Sequence, residues 1–262
     1  IDTSGELTGV GIQIVKDQQS DDLIIISPIE GTPAFDAGIK AKDKILSIDD
    51  ISTKGMNIED AVKLIRGKRG TKVKLEILRG SKSFFKVLLR EKIEIKSVSS
   101  KVNLTKNGLL IGYVRIKQFN ANASRETKDA IKDLETKKVA GYVLDLRSNP
   151  GGLLESSIDI SRYFINKGVI VSTLSKDGLK ETKRGNGQAL TKKPLVVLVN
   201  EGSASASEIV SGAIKDNKRG KLVGKKTFGK GLVQSMRTLV DGSGLTVTVA
   251  KYLTPNGTDI NK

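Results

Sequence analysis

The arrangement of apolar residues changes near residue 92, and this change limits the fold more than any other feature of the chain. Before it, short alternating apolar stretches surround one amphipathic helical segment, which is typical of a small β-rich module. After it, apolar strands such as GYVLDL alternate with helical segments such as SRETKDAIKDLETKK, a pattern that predicts an α/β layer. We therefore expect two domains, over residues 5–91 and 92–262. The polar stretch SKDGLKETKRGNGQ predicts an exposed flap near residues 175–190.

The residue types that are missing limit the chemistry. The 262 residues include no cysteine and no histidine, which excludes disulfides, thiolate catalysis and the usual imidazole base and metal ligand. Acid–base chemistry near neutral pH must then use a carboxylate, a lysine or a tyrosine whose pKa is shifted from its usual value. We expect neither a metal nor any other cofactor.

The charge of the chain is strongly positive, with 45 basic and 29 acidic residues and a net charge of +16. The lysines are spread along the chain and are often next to acidic residues, and the few aromatic residues are not interleaved with them. This pattern is typical of a solvated surface, and we expect no nucleic-acid partner. No apolar run is long enough for a membrane helix, so no transmembrane segment is expected.

Three serines, Ser203, Ser205 and Ser207, lie in NEGSASASEIV, at the predicted start of a helix behind the strand PLVVLV. One interpretation is structural, because Ser205 followed by Glu208 fits a capping box. The other is catalytic, because a helix N-terminus favours developing negative charge and a neighbouring N–H group can stabilise an oxyanion. A nucleophilic serine also needs a base.

The candidate base is Lys230, which lies between two glycines in KKTFGKGLVQS. A buried lysine without a carboxylate partner loses its charge, because desolvation disfavours the cation, and a neutral lysine can replace histidine beside a serine. Gln234 would share a strand face with Lys230 and could hold the amine. A solvated turn lysine is the alternative, and Lys225 and Lys226 compete for the role of base.

The stretch SNPGG follows the strand GYVLDL and precedes another helical segment. Its glycines, Gly151 and Gly152, can turn their N–H groups into a cleft. One of these groups, together with the N–H of Ala206, would form an oxyanion hole. An ordinary strand-to-helix turn is the alternative.

The first domain contains GVGI at residues 9–12, where glycines let consecutive N–H groups turn toward an anion. A strand and a helix that flank a groove would accept an extended peptide by strand addition, and the glycine loop would hold its terminal carboxylate. The predicted peptide site consists of the loop and an apolar helix stripe: Gly9, Val10, Gly11, Ile12, Ile58, Val62 and Ile65.

Two sets of motifs resemble known families. The stretches GTPAFDAGIKAKDKILSIDD and AVKLIRGKRGTKVKLEILRG make most of residues 5–91 similar to a PDZ domain. Behind them, LDLRSNPGGLL, VNEGSASASEIVSGAIKDN, GKKTFGKGLVQS and DGSGLTVTVAKYLTPNG follow one another in the chain. In this order they closely resemble the carboxyl-terminal processing, or tail-specific, serine peptidases, over nearly the whole chain.

The resemblance implies a crotonase-like α/β protease core and a Ser-Lys dyad, with Ser205 as nucleophile, Lys230 as base and Gln234 positioning the lysine. It implies oxyanion donors at Gly151 and Ala206, while the choice between the two glycines of SNPGG stays open. The implied partners are protein substrates with apolar, unstructured C-terminal tails, which the PDZ groove captures.

Further expectations rest on the resemblance alone. Arg66 lies where contacts between PDZ domain and protease are expected and would link tail binding to the active site, or it is an ordinary cation at a helix C-terminus. Relatives are usually exported, which implies an extracytoplasmic location in the periplasm or cell envelope. Relatives also extend beyond both ends of this chain, so we expect a fragment, truncated at the C-terminus, of a protein that forms a homodimer.

Two other classes of function remain open. A catalytically silent PDZ scaffold would need the groove but no reactive serine. A crotonase-like enzyme acting on acyl thioesters would use glycine N–H pairs, but would leave Lys230 and the PDZ domain without a role.

Overall fold

The computed structural model describes residues 3–17, 20–238 and 244–261, without the side chains of residues 234–246. The chain divides into two compact units, one formed by Glu6–Ile95 and the other by Ile1–Gly5 together with Lys96–Lys262. The division lies slightly beyond the predicted boundary at residue 91. No helix in the described ranges is both long and apolar enough to cross a membrane.

The N-terminal unit is built mainly of antiparallel strands. Its strands are β1 (Glu6–Gly9), β2 (Ile12–Lys16), β3 (Leu23–Pro28), β4 (Lys44–Ile48), β5 (Ile51–Ser52), β6 (Lys72–Arg79), β7 (Lys82–Leu89) and β8 (Glu91–Glu94), and its helices are α1 (Pro33–Asp36) and α2 (Ile58–Ile65). One sheet has the order β2-β3-β4-β6-β7, with β5 paired to β4, and β1 pairs with β8. Strand β2 is therefore an edge strand of its sheet.

The alternation of residues in β6 explains how this sheet buries one face. Val73, Leu75 and Ile77 are fully buried, whereas Lys74 and Glu76 between them reach the surface, because successive side chains of a strand point to opposite faces. The buried face belongs to a core that also includes residues of β3, β4 and α2.

Helix α2 is fixed at both ends. At its start, the Asn57 side chain accepts a hydrogen bond from the Asp60 N–H at 2.8 Å, as an N-cap residue does. At its end, the buried guanidinium of Arg90 donates to the carbonyls of Ile65 at 2.9 Å and Leu64 at 2.8 Å. Arg90 therefore satisfies carbonyls that the helix itself leaves without donors.

The C-terminal unit is a mixed α/β structure. Its strands are β9 (Val98–Leu104), β10 (Leu110–Ile116), β11 (Gly141–Asp145), β12 (Val169–Ser175), β13 (Lys180–Arg184), β14 (Leu195–Val199), β15 (Lys221–Gly224), β16 (Leu232–Thr238) and β17 (Gly244–Leu253), and its helices are α3 (Ala123–Thr136), α4 (Leu154–Phe164) and α5 (Ala206–Asp216). The smaller sheet of this unit has the order β13-β12-β17-β16 and is antiparallel. Strands β12 and β13 form the hairpin at the predicted flap, where Leu179 is 74% exposed.

The larger sheet of this unit brings the sequence motifs together. Its order is β15-β14-β11-β10-β9, and the pairs β10–β11, β11–β14 and β14–β15 are parallel. Parallel strands end at the same edge of a sheet, where α/β proteins place their ligands. The loops after β11, β14 and β15 contain SNPGG, NEGSAS and KKTFGKG respectively. These three motifs therefore meet at one edge although they are far apart in the chain.

Candidate active site

Ser205 lies at the turn between β14 and α5, in a backbone conformation that is rare for a residue with a side chain. Its φ is 53° and its ψ is −111°, outside the α and β regions. Such strain is typical of functional sites, and strand-to-helix turns of this kind present nucleophilic serines in other enzymes. Ser205 itself is partly exposed, whereas Ser203 and Ser207 are fully buried.

Glu208 connects the serine turn to the lysine loop. Its carboxylate is almost fully buried. One oxygen, Oε2, accepts hydrogen bonds from the Ser205 N–H at 2.9 Å and the Lys230 N–H at 2.8 Å, and Oε1 accepts from the Gly229 N–H at 2.6 Å. The glutamate half of the predicted capping box is thus present, but it also holds a second loop. Because one oxygen contacts both N–H groups, the backbones of Ser205 and Lys230 are adjacent.

The side chain of Lys230 is exposed and makes no hydrogen bond or ion pair with the described residues. Its backbone is held by Glu208, and the neighbouring Phe228 N–H donates to the Ser203 carbonyl at 3.0 Å. The competing lysines, Lys225 and Lys226, are also exposed, and Lys225 lies 3.6 Å from the Glu201 carboxylate. The lysine-base hypothesis requires an amine that is shielded from water, and the described residues do not shield the side chain of any of these three lysines.

Gln234 lies in β16, where its backbone is paired with Thr248 of β17. Its side chain lies outside the described residues. The predicted contact between Gln234 and Lys230 therefore stays a prediction.

The glycine turn of SNPGG lies against the serine turn. Gly151 has a φ of +102°, and a Cβ on it would lie 2.9 Å from the Ser205 Cβ and 3.1 Å from the Ala206 nitrogen. Only glycine fits this close approach, since a side chain would be both strained and blocked. The structure thus brings together the two loops of the predicted oxyanion hole.

The N–H groups of this turn differ in their partners. The Gly151 N–H donates to the Asn149 Oδ1 at 2.9 Å. The N–H groups of Gly152 and Ala206 have no acceptor within the described ranges. Of the two glycine N–H groups, that of Gly152 is therefore the one without an acceptor among the described residues, and the donor role of Gly151 stays a prediction.

Asp145, at the end of β11, is a buried acid that the sequence reasoning missed. The Arg147 side chain donates to both of its oxygens, at 2.9 and 2.7 Å, and the Tyr113 hydroxyl donates to Oδ2. Burial opposes ionisation, but the hydrogen bonds from Arg147 and Tyr113 outweigh it and lower the pKa of Asp145 to about 2. The available signal was an acidic residue within the apolar strand motif LDLR.

The N-terminal unit contains the groove in which the peptide site was predicted. A cavity of about 80 Å³ lies between the loop at residues 9–12 and α2. It is lined by Leu7, Gly9, Val10, Gly11, Ile12, Ile14, Val62, Ile65 and Arg66. Of the predicted peptide-site residues, Ile58 does not line the cavity and lies at the start of α2, partly exposed.

The loop of this groove has free donors and requires glycine. Within the described ranges, the N–H groups of Val10 and Gly11 have no acceptor. Gly11 has a φ of +79°, and a Cβ there would lie 2.2 Å from the Thr32 Oγ1. Consecutive free N–H groups at the end of an apolar groove can bind a carboxylate by donating hydrogen bonds to it.

No cluster of three His, Cys, Asp or Glu side chains in the described part of the chain could hold a metal ion.

Comparison with known proteins places this chain in a family. Peptidase family S41 matches residues 110–262, and the PDZ domain family matches residues 1–78. A carboxyl-terminal-processing protease of Synechocystis sp. is 46% identical over the whole of this chain and 62% of its own length. The carboxy-terminal processing protease CtpA of Bacillus subtilis is 42% identical over 99% of this chain and 55% of its own length.

The fold also matches solved structures. The structure of a photosystem II D1 C-terminal processing protease aligns with a TM-score of 0.61 and 38% identity, over 97% of this chain and 70% of that chain. The chain spans between half and two thirds of the length of these curated relatives. We conclude that the chain belongs to peptidase family S41 and contains a PDZ domain on the N-terminal side of the peptidase core.

Proposed function

We propose that this chain is the core of a serine endopeptidase that cleaves proteins near their C-terminal tails with a Ser205–Lys230 dyad. The observation that carries the proposal is the Glu208 carboxylate, which holds the N–H groups of Ser205 and Lys230 on one oxygen atom. Acyl transfer requires a nucleophile and a base in fixed proximity. A passive peptide-binding scaffold has no need for a strained serine tied to a lysine loop.

The proposed reaction starts with proton transfer from the Ser205 hydroxyl to a neutral Lys230 amine. Because the Lys230 side chain is exposed in the free chain, the bound substrate has to cover it, and this desolvation favours the neutral amine. The serine oxygen then attacks the peptide carbonyl. The resulting lysinium protonates the leaving amine, and water repeats the sequence on the acyl-enzyme. Gln234 would hold the amine during both steps.

The tetrahedral anion in each step would be stabilised by backbone N–H groups. Ala206 supplies one donor at the start of α5, and Gly151 or Gly152 supplies the other. The helix N-terminus adds a favourable field for the same negative charge. No metal or other cofactor is required by this chemistry.

The PDZ groove is proposed to select the substrate. An apolar, unstructured tail would pair with the edge strand β2, and its carboxylate would bind the loop at residues 9–12. The apolar groove lining supports a preference for aliphatic tails. From the family resemblance we further propose a crotonase-like core, an extracytoplasmic location and a homodimer of the full-length protein.

The central test uses Ser205→Ala and Lys230→Ala, with Lys226→Ala as a control lysine from the same stretch. We expect each of the first two to lower kcat by at least about 10⁴-fold, measured on a peptide with an apolar C-terminal tail. Tail binding, measured by fluorescence anisotropy, is expected to stay unchanged in all three. Near-full turnover by Lys230→Ala would remove the dyad mechanism.

Two assays separate the alternatives. A serine-directed phosphonate should label the wild type and not Ser205→Ala. If the chain is a catalytically silent scaffold, the phosphonate would label neither protein. An acyl-thioester assay on the same samples tests the crotonase-type reaction. Hydrolysis of a thioester without peptide cleavage would favour that alternative.

A further inference from the structure

Asn149, in the loop after β11, is fully buried, and its side-chain amide is bound at both ends. Oδ1 accepts a hydrogen bond from the Gly151 N–H at 2.9 Å, and Nδ2 donates to the Ile116 carbonyl at 2.8 Å. The amide thus connects the glycine turn to the end of β10. Because both of its polar atoms are used, its orientation is fixed.

The main chain of the same residue holds the serine turn. The Asn149 carbonyl accepts from the Ala204 N–H at 3.0 Å and from the Ser207 hydroxyl at 2.9 Å. These two partners lie on either side of Ser205 and Ala206. Asn149 is therefore bonded to both loops that form the predicted oxyanion hole.

The two loops leave little room for adjustment. A Cβ on Gly151 would lie 2.8 Å from the Ala204 carbonyl oxygen, so the glycine turn is already in contact with the segment that Asn149 holds. A shift of about 1 Å between catalytic groups can cost about 100-fold in rate. The distance between the donors and the serine thus depends on the bonds that Asn149 makes.

We propose that Asn149 is a positioning residue for the oxyanion hole. Its side chain accepts from the Gly151 N–H and so fixes the Pro150–Gly151 peptide, directly before the Gly152 N–H. Its carbonyl fixes the turn that presents the Ala206 N–H. This inference rests on the proposed function. Asparagine is suited to the role because it offers an acceptor to Gly151 and a donor to Ile116, whereas aspartate keeps the acceptor and loses the donor.

The test compares Asn149→Ala and Asn149→Asp with Asn200→Ala. Asn200 is a matched control, because its Oδ1 accepts from the Ser148 N–H at 2.7 Å and the Gly202 N–H at 3.1 Å. It joins the same two loops without a bond to Gly151, Ala204 or Ser207. We expect Asn149→Ala to lower kcat about 100-fold with little change in KM, Asn149→Asp to lie between it and wild type, and Asn200→Ala to remain close to wild type.

Two further measurements separate positioning from loss of fold or of function. Thermal unfolding of each variant reports the folded fraction, to which kcat is normalised, and Asn149→Asp carries the comparison where the alanine variant unfolds. Hydrogen exchange of ¹⁵N-glycine samples follows the Gly151 amide without any substrate, and we expect faster exchange in Asn149→Ala than in Asn200→Ala.

The outcomes are distinct. Equal normalised kcat values and equal Gly151 exchange in Asn149→Ala and Asn200→Ala would overturn the inference. A large rise of KM in Asn149→Ala without a change in kcat would also overturn it. A wild type that neither cleaves peptides nor reacts with the phosphonate would refute the proposed function, and the exchange result would then show only that Asn149 organises the loop, which overturns its catalytic role.

Discussion

The two units position their functional groups by different means. In the C-terminal unit, the buried side chain of Glu208 joins the serine turn to the lysine loop. The main-chain carbonyl of Asn149 joins the glycine turn to the serine turn. In the N-terminal unit, the groove is formed by an edge strand, free N–H groups and aliphatic side chains such as Val62. Buried polar side chains also support the groove, since Arg90 donates to the Ile65 carbonyl and Thr32 to the Gly11 carbonyl, but the groove has no reacting groups to hold in a fixed geometry.

This difference follows from what each site has to do. A reaction requires its groups to be fixed within about 0.5 Å, which calls for a supporting shell of directional hydrogen bonds. Capture of an extended tail uses main-chain hydrogen bonds and an apolar surface, and these tolerate small shifts. The C-terminal unit should therefore be the more sensitive of the two to the loss of a single buried polar side chain.

Among changes to residues that support the two sites, the largest effect is expected for Glu208→Ala. This change leaves the N–H groups of Ser205, Gly229 and Lys230 without their shared acceptor. We expect kcat to fall by about 100-fold or more and the free energy of unfolding to fall by about 3 kcal/mol. Peptide turnover and chemical denaturation measure the two effects.

Glu201→Ala is the matched control for this variant. Glu201 is exposed and has only a loose contact with Lys225, so turnover and stability should stay at wild-type values. Equal turnover in the Glu208 and Glu201 variants would show that the link between the two loops is dispensable.

A smaller effect is expected in the groove. Val62→Lys places a charge in the apolar lining and should weaken tail binding by about 10-fold. Arg66→Ala, at the end of the same helix, removes a charged lining residue and should weaken tail binding less than Val62→Lys does. It should, however, reduce the stimulation of cleavage by a free tail peptide. Binding by anisotropy and cleavage of a tailless peptide distinguish the two variants.

Equal stimulation of wild type and Arg66→Ala would argue against a regulatory role. Arg66 would then be an ordinary cation at a helix C-terminus. Val62→Lys should cleave a tailless peptide at the wild-type basal rate, since the groove and the reaction are proposed to be separate sites.

The smallest effect concerns pH and tests the buried acid of the catalytic unit. The pKa of Asp145 is lowered from 3.8 to about 2, so its contribution to stability is complete above about pH 4. That contribution is lost as the pH falls from about 4 to about 2, because over this range the unfolded state takes up a proton that the folded state does not. In Asp145→Asn the unfolding free energy should decline less between about pH 4 and pH 2. Identical slopes in the two proteins would exclude Asp145 as a source of acid sensitivity.

Much of the fold was predictable from the sequence because it depends on local periodicity. The strand alternation of β6 and the glycine loop at residues 9–12 are both visible in the order of residues, and the family motifs lead to Ser205 and Lys230. Val62 and Ile65 line the groove, but Ile58 does not, because a stripe on a helix does not specify where the groove ends.

The supporting residues were not predictable in the same way. Glu208 was interpreted only as a cap of its own helix, and Asp145 and Asn149 were not singled out. Each of them bonds to a residue that is distant in the chain, which for Asp145 is Tyr113 of β10. Such partners depend on the order of strands in the sheet, which local patterns do not contain.

The sequence alone determined the chemistry that is available: without histidine and cysteine, a base for Ser205 has to be a lysine, a carboxylate or a tyrosine. It also determined which segments form strands and helices, since burial of apolar residues follows their spacing. The folded chain, in contrast, determines that one carboxylate oxygen of Glu208 holds both the serine turn and the lysine loop, and that Asn149 joins the glycine turn to the serine turn. These contacts exist because β11, β14 and β15 become parallel neighbours with their ends at one edge, and hydrogen bonds over a few ångströms form only after that arrangement exists.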